Sequence, residues 1–148
     1  MKRVWIGVCL SLLWVGLIAS AQEQTKPNSA ARSTAEQMAL EADGVWLDRL
    51  DAGQYEACWN MAAAPLKAAV TEEKWESVIK GVMEPMGKLR LRTLQSATYT
   101  TILPGAPDGE YVMILYESSF EHKQTAQETV IVSREKDKAW RVAGYYIK

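Results

Sequence analysis

Few residues in this sequence can do chemistry, and those few do not cluster. It holds one histidine, His122, and two cysteines, Cys9 and Cys58. A zinc or copper centre needs several His, Cys, Asp or Glu ligands converging on one point, so neither a metal site nor a cofactor is expected. His122 stands in Glu121-His122-Lys123, between two strand-like segments and among charges, and reads as a solvated turn residue. Cys58 falls beside Trp59 on an apolar helical face, the setting of a buried and inert thiol. No Gly-x-Ser-x-Gly elbow and no phosphate-cradling glycine loop occurs.

Acid/base chemistry would need an inward carboxylate beside hydroxyl donors. Glu117 is the catalytic candidate, with Tyr55, Tyr99 and Tyr116 as possible donors. Because Glu117 follows the apolar run 111–116, it is equally the point where a strand emerges into solvent. For binding, Trp46, Tyr55, Trp59, Tyr116 and Trp140 are the candidates to line a cavity for a small apolar ligand or a partner peptide. The competing reading is that the same rings fill the core.

Whatever this chain does, the sequence places it outside the cytoplasm. Lys2 and Arg3 precede an apolar run over residues 4–19 that closes on the small residues Ala19-Ser20-Ala21 before the polar Gln22. These are the parts of a secretory signal, with cleavage expected between Ala21 and Gln22 and release to the periplasm or the medium. The run is shorter than the roughly 20 apolar residues of a spanning helix, so no membrane span is expected after cleavage. Cys9 sits inside the run and not after the cleavage point, which argues against lipidation. It leaves with the signal, so Cys58 remains alone and no internal disulfide forms. The 148-residue chain then becomes 127 residues, the modal size of one domain. Losing Lys2 and Arg3 changes 17 basic against 18 acidic side chains to 15 against 18, a net charge of −3. Nucleic acid is thereby excluded as a partner, since phosphate binding needs a basic surface.

The elements that must position these residues follow from periodicity. Residues 22–32 are polar and small and predict a disordered tether between the signal and a domain over 33–148. Ser33 with Glu36 matches a capping box, opening a long helix to about Ala52 whose apolar stripe is Ala35, Met38, Ala39, Ala42, Trp46 and Leu50. A shorter helix carries Tyr55, Cys58, Trp59 and Ala62 and ends near Pro65. A third starts at Thr71, buries Trp75, Val78, Ile79, Val82 and Met83, and ends at Pro85 and Gly87. Four strands are then predicted at 89–101, 110–120, 127–134 and 139–147, joined by turn-forming segments. Helices first and strands last make an α+β domain with one long and two shorter helices on a four-stranded antiparallel sheet. The strand at 111–116 is apolar on both faces, so its outer face needs a cover, and a homodimer through that face is one expectation.

Several segments resemble a known pattern: Trp46-Leu47 with Leu50-Asp51-Ala52-Gly53 and Tyr55, then Ser96-Ala97-Thr98-Tyr99-Thr100-Thr101, Pro104-Gly105-Ala106-Pro107-Asp108-Gly109-Glu110-Tyr111, Trp140-Arg141-Val142, and Gly144-Tyr145-Tyr146-Ile147. Together they are similar to the bacterial family catalogued as domain of unknown function 4019. The arrangement also resembles the cone-shaped folds of the cystatin-like and nuclear transport factor 2 groups. That resemblance implies a long helix on a curved sheet and no particular activity. The expectation is an exported, non-enzymatic binding or accessory domain for an unknown protein or a small apolar ligand. The alternative is a small cone-fold enzyme using a pocket carboxylate and tyrosines.

Overall fold

Alanine-rich sequence continues helix upstream of the predicted cap. In the computed structural model, which describes residues 29–148, α1 spans Ser29–Asp51. The signal, its cleavage point and residues 22–28 lie outside the described residues. Ser33 is no cap: its Oγ donates to the Ala30 carbonyl at 2.9 Å, one turn back, as a serine inside a helix does. Glu36 does not fold back on Ser33 either, because its Oε1 accepts the backbone N–H of Tyr99 at 3.0 Å.

Pro65, expected to end the second helix, helps to start a further one. Helix α2 covers Tyr55–Met61 and α3 covers Ala64–Ala69, with the proline in the first turn of α3, where its missing N–H has no intrahelical partner to lose. Helix α4 covers Glu72–Met86. Thr71 caps it as expected, its Oγ1 accepting from Lys74 N at 3.3 Å, and Gly87 ends it at φ 74°. The buried stripes shift from those predicted. On α1 the inward positions are Ala35, Ala39, Asp43, Trp46, Leu47 and Leu50, while Met38 is exposed. On α4 they are Trp75, Ile79, Met83 and Met86, while Val78 and Val82 face out.

The strands β1 (Leu89–Thr100), β2 (Tyr111–Phe120), β3 (Ala126–Arg134) and β4 (Trp140–Ile147) pair in sequence order as an antiparallel meander. The fold is α+β, with an open sheet whose edges are β1 and β4. Alternation assigns Val112, Ile114, Tyr116, Ser118 and Phe120 of β2 to the helix side, with Ala126, Glu128, Val130 and Val132 of β3 beside them. These residues meet Trp46, Leu50, Cys58, Trp75 and Val142 in one core.

Both edges are guarded. On β1 two bulges, at Leu89/Leu91 and Leu94/Ser96, break the ladder, and Glu36 occupies the N–H of Tyr99. On β4 the backbone N–H of Ala63, just before α3, donates to the Val142 carbonyl at 2.8 Å. Such devices stop a second sheet from adding strand to strand.

Candidate functional site

Charged residues at inward positions of a helix and two strands meet beneath α1. Glu128 comes from β3 and is 0 % exposed. Each of its oxygens accepts two hydrogen bonds: Oε1 from Arg92 Nε at 2.8 Å and from the Ser118 hydroxyl, Oε2 from Arg92 Nη2 at 3.1 Å and from the Tyr145 hydroxyl at 2.7 Å. Arg92, on the inner face of β1, also forks onto Asp51 at the end of α1, at 2.6 and 2.9 Å. One guanidinium thus joins the edge strand to the central sheet and to the long helix. Burial pulls the guanidinium down, but its hydrogen bonds to Asp51 and Glu128 outweigh it and hold Arg92 above its usual range. Burial and the Glu128 charge push the Tyr145 phenol up.

Two turns nearer the middle of α1, Asp43 is also 0 % exposed. Its Oδ2 accepts from the Tyr116 hydroxyl at 2.5 Å, and its Oδ1 has no hydrogen-bond partner among the described residues. Burial raises the carboxyl from 3.8 to about 6, against the opposing effects of the Tyr116 hydrogen bond and the Arg92 charge, and with a smaller push from Glu128. Burial and Asp43 together raise Tyr116. A carboxyl that titrates near neutrality beside a phenol is the chemistry of a general acid/base pair. Here it is closed to solvent.

The residues expected to act do not meet at this place. Glu117 points away from the helices and is exposed, because its neighbours Tyr116 and Ser118 take the inward positions of β2 and alternation sends it out. The inward carboxylates are Asp43 and Glu128. Among the aromatic candidates, Trp46 is core, donating Nε1 to the Cys58 carbonyl at 2.9 Å and packing 5.8 Å from Trp75 and 5.5 Å from Tyr145 between ring centroids. Trp59 donates to the Val70 carbonyl at 3.1 Å, tying α2 to the end of α3. Trp46 and Trp140 border a surface groove of about 360 Å³ between α1 and β4, whereas Tyr55 borders a different cleft of about 670 Å³ beside α2. Tyr116 and Trp59 line neither, so the five do not share a cavity.

His122 is exposed, and Cys58 is buried with its thiol pushed up to about 12 by burial. The 101–110 loop closes on itself, Tyr111 OH donating to the Pro107 carbonyl at 2.8 Å and Gly109 N to the Thr101 carbonyl. Among the described residues no group of three His, Cys, Asp or Glu side chains is placed to hold a metal ion, and no helix is long and apolar enough to cross a membrane.

The outer face of the sheet is the less conventional surface. Its middle rows run Thr98, Met113, Ile131, Gly144 and Ser96, Leu115, Thr129, Tyr146 across the four strands. Met113, Leu115 and Ile131 are half-buried, and Tyr146 and Leu91 are each 62 % exposed. No helix of the described chain crosses this face; the helices pack on the other side.

Sequence reasoning missed Asp43, Asp51, Arg92, Ser118, Glu128 and Tyr145. A signal existed for two of them. Asp43 stands four residues after Ala39 and three before Trp46, on the apolar stripe itself, and Glu128 shares strand parity with Ala126, Val130 and Val132. No curated protein and no solved structure matches the chain. Residues 42–145, which contain the buried network and the outer face up to Tyr146, match one family pattern, and the chain belongs to that family, described as protein of unknown function DUF4019.

Proposed function

We propose that the chain is exported and works outside the cytoplasm as a non-enzymatic binding or accessory domain, with the outer face of its sheet as the contact surface. One observation carries this reading: the helix side is a filled core with its carboxylates sealed, while the opposite side presents Met113, Leu115, Ile131 and Tyr146 with no helix of the described residues above them. Contiguous apolar surface on a soluble domain marks a place of interaction. Export is supported by Lys2, Arg3, the apolar run and Ala19-Ser20-Ala21.

Two measurements test the reading. N-terminal sequencing of the purified protein is expected to start at Gln22, and a start at Met1 overturns export. A photoactivatable side chain introduced at Thr98 on the outer face is expected to form an adduct in intact producing cells, whereas one at Val78 on α4, 49 % exposed, is not. Equal yields at both positions, or none at Thr98, overturn the contact surface. The alternative of acid/base catalysis draws on Asp43 and Tyr116 in place of Glu117. It requires α1 to lift from the sheet, which rapid amide exchange around Asp43 would reveal.

A further inference from the structure

Resting on the outer face as the contact surface, we infer that its occupant is a second copy of this chain, stacked face to face about a two-fold axis that runs parallel to the strands. Strand-to-strand pairing is closed at both edges, by the bulges and Glu36 on β1 and by Ala63 on β4. The face remains.

Its relief is lopsided in a way that suits self-association. On the β1 side the outward residues over the middle of the sheet are small, Ser96, Thr98 and Thr100, with the large Leu91 beyond them near the start of the strand. On the β4 side they are large, Tyr146 and Arg141, with only Gly144 between them. A two-fold axis along the strands lays β1 of one copy over β4 of the other without exchanging the ends. Tyr146 then stands over Ser96, Met113 over Ile131, Leu115 over Thr129, and Glu117 over Gln127. Large residues meet small ones or apolar partners, and no like charges oppose. An axis across the strands instead lays β4 over β4 and exchanges the ends, bringing Arg141, paired with Asp137 in its own chain, towards Lys148, so that a second cation approaches a site already balanced and costs affinity. Both axes set Tyr146 over a small residue, Ser96 or Gly144, so charge selects between them.

The area is also adequate. Four strands about 4.8 Å apart and eight residue steps of about 3.3 Å give a projected face of roughly 500 Å² per copy. Both copies together approach the low end of specific interfaces, about 1,200 Å², so the dimer is expected to dissociate in the micromolar range. Two twisted sheets stack in this way with side chains interdigitating in a layer about 10 Å thick.

The test uses the mature chain. Sedimentation from low to high micromolar concentration is expected to show a reversible monomer–dimer equilibrium, and Thr98→Arg is expected to shift it at least tenfold towards monomer while Val78→Arg does not. For the axis, Ser96→Cys/Tyr146→Cys is expected to form a disulfide-linked dimer under oxidation, and Ser96→Cys alone is not. Within one chain these positions lie about 14 Å apart across three strand spacings, beyond the reach of a disulfide. Native Cys58 is buried and does not compete. Linkage by Ser96→Cys alone at the rate of the double variant overturns the axis, and a monomer at every concentration overturns the second copy. In cells, an adduct at Thr98 with twice the mass of the chain supports the inference. An adduct with a different protein overturns it while the outer-face reading stands, and no adduct at all overturns both.

Discussion

Replacing Asp43 by asparagine should change the pH dependence of stability more than stability at any one pH. The carboxyl is 0 % exposed and its burial raises it from 3.8 to about 6. For an acid, a folded-state value above the unfolded one means that folding favours the protonated form. The stability that the group contributes is therefore complete below about pH 4, is lost as pH rises through about 6, and stays lost above it. Two units at about 1.4 kcal/mol each come to roughly 3 kcal/mol. In Asp43→Asn the side-chain carbonyl can keep the bond from Tyr116, while the amide group is buried where Oδ1, which receives no hydrogen bond, now lies, at a desolvation penalty. That penalty does not vary with pH, so it cancels when two pH values are compared. Urea unfolding followed by tryptophan fluorescence, at about pH 4 and about pH 7, yields the comparison. Wild type minus variant should fall by roughly 3 kcal/mol between them, because Tyr116, Arg92 and Glu128 surround the site in both proteins. A difference that stays constant within about 0.5 kcal/mol, or a carboxyl carbon resonance that titrates near 4, would refute the reasoning.

Two further outcomes test the core and the backbone. Cys58, buried with its thiol raised to about 12, should resist alkylation at neutral pH until the protein unfolds, so the labelled fraction should track the urea transition; labelling under native conditions contradicts the packing beneath α1. Two glycines should respond in opposite directions to alanine in thermal unfolding. Gly44→Ala adds a methyl to a helix with nothing within 4 Å and should stabilise by roughly 1 kcal/mol, whereas Gly87→Ala places Cβ 2.9 Å from Glu121 Cβ at φ 74° and should destabilise by about 2–3 kcal/mol.

The elements were legible because their signals are local. Alternation and turn residues placed all four strands within a residue or so, and Thr71 with Glu72 and Glu73 marked the start of α4. The signals that failed are those that tertiary contacts override. Ser33 and Glu36 have the spacing of a capping box, but the glutamate serves a sheet edge instead. Pro65 looked like a stop, and proline is as welcome at a helix start. The site was hardly legible, for a physical reason. A charged residue is normally placed in solvent, so Asp43, Arg92 and Glu128 become plausible interior residues only when their partners, 36 to 73 positions away in sequence, are known to be opposite. Glu117 attracted attention as the carboxylate on an apolar strand, yet strand parity sends it outward.

The buried polar network resolves an ambiguity that the apolar pattern leaves open. Residues 111–116 are apolar at both parities, so hydrophobicity alone does not fix which face of β2 meets the helices, and a slip of one residue exchanges the faces. Such a slip would turn Glu117 inward, towards Asp43 and Glu128, and would take Tyr116 and Ser118 away from them. Like charges and lost hydrogen bonds then penalise the wrong face. Two variants separate this role from plain stabilisation. Arg92→Met leaves Glu128 buried without its cation and should cost about 3–5 kcal/mol. Adding Glu128→Met removes the stranded charge and should recover most of that loss, though Ser118 and Tyr145 lose an acceptor. If the network fixes the face of β2, the recovered double variant should show broadened amide resonances and bind a hydrophobic dye, because both registers are then populated. A double variant as stable as wild type with an equally sharp spectrum would mean that the edge contacts of Glu36 and Ala63 are sufficient to set the register.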